Sequence, residues 1–148
     1  MNKLNHAFSK LSTEASKSIL LQKHSALLTS SGHRMTRFTG YNDYVKSHYS
    51  NDDPSVHAED KTLKRFIWHE QTRHSSDAKI RRKLRKMQLF IARLNQNSAL
   101  DYQFSNSEPC YHCLATLKNY GIKKVVFTSY YGEPHCKKGK SITRLYYF

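Results

Sequence analysis

The chain has 148 residues, 38% of them hydrophobic with seven Phe and ten Tyr, and a formal net charge of +14. This is ordinary globular material with room for one domain, residues 1–148, and a real core, which argues against two domains. Three cysteines exclude a disulfide framework, so an intracellular, reducing compartment is expected, cytoplasmic or nuclear, and the basic excess points to polyanionic partners.

In residues 1–22, Leu4, Phe8, Leu11, Ala15 and Ile19 recur at helical spacing, with Lys3, Lys10 and Lys17 elsewhere around the helix. This predicts a scaffold helix. The segment is also basic, serine-rich and nearly free of acids, as transit peptides are, but it lacks Arg. Its longest apolar run, Ile19-Leu20-Leu21, is no secretory core, and no later stretch approaches the about 20 apolar residues of a spanning helix. A soluble protein without a membrane partner is expected.

Ser25 to Thr29 and Met35 to Thr39 flank a loop, Ser30-Ser31-Gly32-His33, whose glycine permits a positive φ, so a β-hairpin is predicted. Asn42-Asp43 follows as good turn chemistry. Residues 43–54, with Tyr44, His48 and Tyr49, read as a loop. Ser55-Val56-His57-Ala58-Glu59 reads as the first turn of a helix capped by Asp53 or Ser55, with the apolar stripe Val56, Leu63, Phe66 and Ile67.

Fifty residues separate Glu59 from Cys110, enough for an insertion over 69–86. Its end, Lys79-Ile80-Arg81-Arg82-Lys83-Leu84-Arg85-Lys86, has six basic residues in eight and reads either as a solvated helix face, doubling as a nuclear localisation signal, or as a polyanion-binding surface. In the second reading Lys79, Arg81, Arg82, Lys83, Arg85 and Lys86 track the phosphates of RNA or single-stranded DNA, with Tyr44, Tyr49, Tyr130 and Tyr131 as stacking candidates. Met87 to Leu94 predicts a buried strand, and Asn95 to Asn106 a polar loop.

Pro109 suits the first position of the next helix, and Gly121 its stop after Tyr120. Cys110 and Cys113, three apart, then share one face at the positive helix terminus, where a thiol ionises more readily. Such a pair serves redox chemistry, half of a zinc knuckle or catalytic zinc. His57 upstream favours the last, because three ligands leave a fourth position for water and Glu59 can reach that water without being a ligand. The order strand, cysteine helix, strand Lys124 to Ser129 is a βαβ unit with parallel strands. In the tail, His135 and Cys136 read as a surface loop rather than a second metal site, and Leu145-Tyr146-Tyr147-Phe148 as an edge strand or core-packing segment.

His57-Ala58-Glu59 with Pro109-Cys110-Tyr111-His112-Cys113 resembles the zinc-binding signature of the cytidine and deoxycytidylate deaminase superfamily. Ser25-Ala26-Leu27-Leu28, the Gly32 turn, Thr39-Gly40-Tyr41-Asn42 and the run Tyr120 to Phe127 resemble its flanks, so the likeness spans about residues 23–131. The resemblance implies a three-layer α/β/α cytidine deaminase-like fold with a mixed sheet of about five strands. It implies Zn2+ on His57, Cys110 and Cys113, Glu59 as proton shuttle, and Asn42 either facing the substrate sugar or acting as a plain turn residue. The implied activity is hydrolytic deamination of cytosine in a nucleoside or nucleotide. The alternatives are base editing in RNA or single-stranded DNA, or a silent fold kept for interaction; a homo-oligomer is left open.

Overall fold

The computed structural model describes residues 3–30, 38–44, 55–95, 104–129 and 142–147. The Gly32 loop, Met35, His48, Tyr49, Asp53, Tyr130, Tyr131, His135, Cys136 and Phe148 lie outside the described residues. Among the described residues, no helix is long and apolar enough to cross a membrane.

A mixed sheet organises the domain. Its strands are β1 (His24–Ser30), β2 (Phe38–Tyr41), β5 (Met87–Leu94), β6 (Phe104–Ser105), β7 (Lys124–Ser129) and β8 (Ile142–Tyr147), while β3 (Asp43–Tyr44) and β4 (Ser55–Val56) form a separate two-stranded ladder. The path runs β2-β1-β5-β7-β8, with β6 beside β5. β1 and β2 are antiparallel, as expected from the sequence, but β2 runs on to Tyr41, paired with Ser25, instead of ending at Thr39, and β3 begins the stretch expected as loop. β5 and β7 are parallel, as the βαβ reading requires, and the tail forms edge strand β8, antiparallel to β7.

Side chains alternate across this sheet because strand periodicity is two. Ala26, Leu28, Leu89, Ile91, Val125 and Phe127 face one core, shared with Leu63 and Phe66 of α2 (Ala58–Thr72), Ile80 and Leu84 of α3 (Asp77–Leu84), and Leu117 of α4 (Tyr111–Asn119). Leu27, Phe90, Ala92 and Val126 face the other, against Phe8 and Leu11 of α1 (Lys3–Ala15). Two helical layers thus sandwich the sheet, which is the three-layer α/β/α arrangement.

Several elements differ from the sequence expectation. α1 stops at Ala15 because the chain turns at Ser18, whose hydroxyl donates to the Asn42 carbonyl at 2.8 Å; Ile19 is therefore exposed rather than part of the buried stripe. The stretch 95–106, expected as loop, contains β6, because Phe104 buries its ring against Phe8. The basic segment forms α3, and its apolar positions Ile80 and Leu84 belong to the main core.

Gly40 sets how closely β2 approaches α2. A Cβ there would lie 2.5 Å from Thr62 Oγ1 and 3.3 Å from the Ala58 carbonyl oxygen, at the start of the helix that follows His57. Gly40→Ala is expected to lower stability by about 1–3 kcal/mol through overpacking, measured as a reduced denaturant midpoint at unchanged slope.

Candidate metal centre

Two helix starts meet at the centre. The short β3–β4 ladder delivers the chain in extended form to His57, which is the N-cap of α2 rather than part of its first turn. The expected cap from Asp53 or Ser55 is not what begins this helix; the backbone stays extended through His57 (φ −71°, ψ 147°), and its carbonyl accepts the first helical N–H, from Lys61. Glu59 and Asp60 then occupy the first turn, where the helix dipole favours acidic groups.

On the other side, Cys110 is the N-cap of α4, and Pro109 precedes the cap instead of taking the first helical position. The Cys113 N–H donates to Cys110 Sγ at 3.4 Å, the bond a Ser or Asp would accept in the same place. At the far end, α4 stops as expected at Tyr120, with Gly121 at φ +93°.

The two starts bring His57 Nδ1 to 3.3 Å from Cys113 Sγ and 3.7 Å from Cys110 Sγ, and all three ligand atoms lie within 4.8 Å of one another. Zinc bond lengths of roughly 2.0–2.1 Å to nitrogen and 2.3 Å to sulfur at a tetrahedral angle require N to S separations of about 3.6 Å. The residues present fit such an ion.

Glu59 is only 5% exposed, and burial is the largest cause raising its carboxyl above the usual range. Burial also pushes the Cys113 thiol up, with the charge of Glu59 next, opposite in direction to the expectation for a thiol at a helix terminus. Desolvation outweighs the dipole here; a cation among these ligands would offset both causes.

His57, Glu59 and Cys110 line two cavities. One, of about 450 Å3, adds Asn42, His24 and Glu108. The other, of about 520 Å3, opens between α2 and α4 beside Leu63, Lys64 and Thr116. Asn42 is buried, its Oδ1 accepting the His24 N–H at 2.9 Å and its Nδ2 donating to the Gln22 carbonyl. It therefore fastens the hairpin's base while lining the cavity. Lys79, Arg81, Arg82, Lys83, Arg85 and Lys86 line neither cavity and sit on or just after α3.

His24 has no counterpart in the sequence expectations. The pairing of Ser25 with Tyr41 puts it opposite Asn42, so a hairpin register extended by one pair was the signal that could have found it. Burial, then Arg93 and His57, lowers its pKa from 6.5 to about 4. The unfolded chain thus takes up a proton near 6.5 that the folded chain refuses until about 4. Stability is expected to be fully present above 6.5 and to fall as pH drops towards 4, and His24→Gln should flatten that fall in urea titrations at neutral and acid pH.

Sheet order, helical layers and the three-ligand cluster together define a cytidine deaminase-like fold. Among solved structures, the chain is similar to cytidine deaminase from Burkholderia pseudomallei, with a TM-score of 0.56 at 13% identity over 97% of this chain and 91% of that one. It is also similar to dCMP deaminase from the cyanophage S-TIM5 in complex with dCMP and dUMP, with a TM-score of 0.51 at 17% identity over 88% and 85% of the two chains. Cytidine deaminase from Mycobacterium tuberculosis gives 0.51 at 12% identity over 95% and 91%. A scan against protein-family models found no match, and neither did a search of curated proteins.

Proposed function

We propose that this protein is a zinc-dependent hydrolytic deaminase of cytosine in a nucleoside or nucleotide. The observation that carries this reading is the convergence of His57 Nδ1 on two sulfurs, with the buried carboxyl of Glu59 in the wall of the same cavity. His57, Cys110 and Cys113 would hold the ion. When bound, zinc lowers the pKa of a water at its fourth position towards neutrality.

Glu59 carries the protons. Its carboxylate oxygen takes one from the attacking water, returns it to the ring nitrogen, and then moves the second to the exocyclic amine. Water adds at the carbon bearing that amine, the carbon–nitrogen bond breaks, and ammonia leaves a uracil ring behind. Burial suits Glu59 to this cycle, because a raised pKa makes its carboxylate a stronger base towards the attacking water and keeps the proton on the carboxyl until the ring nitrogen takes it.

Asn42 contacts the sugar in this reading. The bonds to His24 and Gln22 use one donor and one lone pair of an amide that has two of each. The dCMP held by the cyanophage protein supports a substrate of that size, and the roughly 450 Å3 cavity is in the range of small-molecule sites. A polymer substrate is supported less, since the basic run on α3 lines neither cavity.

Incubating the purified protein with cytidine, deoxycytidine, dCMP and cytosine-containing oligonucleotides separates the readings. Ammonia and a uracil product are expected from a free nucleoside or nucleotide. Deamination confined to the oligonucleotides would overturn the small-substrate assignment.

A further inference from the structure

The helix α4 returns along the sheet between the parallel strands β5 and β7, so its two ends lie at opposite ends of the domain. Cys110 caps its start, and Cys113 lies in its first turn. The helix itself spans about 14 Å, nine residues at about 1.5 Å each, and its last turn lies at the other end.

A basic cluster from two chain segments, 81–86 and 118–123, gathers at that far end. The Arg81 guanidinium donates to the Asn119 carbonyl and stands over the Tyr120 ring, 5.7 Å from its centroid, while Arg85 lies against Gly121, where a Cβ would meet its Cγ at 3.4 Å. These contacts hold the α3 segment against the stretch 118–123, and Arg82, Lys86, Lys118 and Lys123 on the two segments are all exposed. Among the described residues, Lys83 is the one member of the basic run with an acidic partner, Glu70 at 2.8 Å.

We infer that this end of the domain binds the phosphodiester backbone of a nucleic acid, as an accessory surface separate from the cavity that holds Glu59. Guanidinium forks and ammonium groups without acidic partners are what a phosphate backbone neutralises. An anionic bilayer fits less well, because basic helices that lie on lipid insert an apolar face. Here Ile80 and Leu84 turn into the core, and the exposed large hydrophobic residues among those described, Ile19, Leu21, Trp68 and Tyr111, belong to neither 79–86 nor 118–123.

The test is fluorescence anisotropy of a labelled single strand about 20 nucleotides long against the whole protein. Four to six phosphate contacts give a log–log salt slope of roughly −3 to −4, a loss of about fifty- to three-hundredfold between roughly 50 and 200 mM salt. Changing Arg82, Lys86, Lys118 and Lys123 together to Gln should remove most of the low-salt binding, with circular dichroism unchanged. The double variant Lys118→Gln with Lys123→Gln should fall between. Photo-cross-links should map to 81–86 and 118–124. Wild-type affinity in the fourfold variant, a slope near zero, or cross-links confined to His57, Glu59 or Cys110 would overturn the inference. So would binding to phosphatidylserine vesicles without binding to the oligonucleotide.

Discussion

Glu59→Gln is expected to slow deamination by at least about a hundredfold, the lower end for loss of a general acid–base group, while fold and zinc content stay as in the wild type. The change keeps the shape of the side chain and removes its ability to take and return a proton. Because Glu59 is buried and burial disfavours its charged form, a neutral amide there carries no added desolvation cost. Thermal unfolding should therefore be unchanged or slightly raised, and single-turnover kinetics read the chemical step directly. Turnover near that of the wild type would take Glu59 out of the mechanism.

Cys113→Ala is expected to remove most of the bound zinc, read by elemental analysis of protein purified without chelator. Cys113 is 8% exposed and its sulfur is the nearer of the two to His57 Nδ1, so nothing else among the described residues replaces it as a ligand. Cys110→Ala should lose the metal as well and, in addition, the N-cap acceptor for the Cys113 N–H, costing about 1 kcal/mol of stability even without zinc. Comparing the two metal-free variants by urea unfolding separates ligand from cap. Full zinc occupancy in either variant would mean that the ligand set is wrong.

The cluster of His57, Cys110 and Cys113 was legible because metal chemistry restricts residue type and spacing so narrowly. Cys110 and Cys113 had to share a helix terminus, and His57 with Glu59 offered a third donor and an acid. Strands β5 and β7 were legible to the residue because both faces are buried and their apolar runs are continuous. Helix starts were harder to read. Both His57 and Cys110 turned out to be N-caps, positions that depend on where an extended segment ends, and His57 has no side-chain cap bond to announce it. Ile19 fitted the helical period of the first segment yet lies outside α1, since the tertiary bond from Ser18 to Asn42 stops the helix first. His24 escaped because its place in the cavity wall comes from pairing across the hairpin, not from any local pattern.

The central claim is that one ion held by His57, Cys110 and Cys113 turns this fold into a deaminase. Titrating zinc into chelator-stripped protein while following ammonia release from cytidine and dCMP tests it most directly. Activity should rise in proportion to added zinc and level off at about one equivalent per chain, as a single three-ligand site requires. Saturation of the site with zinc, but no ammonia from any cytosine nucleoside or nucleotide, would contradict the claim and leave a deaminase fold whose metal only joins two helix ends.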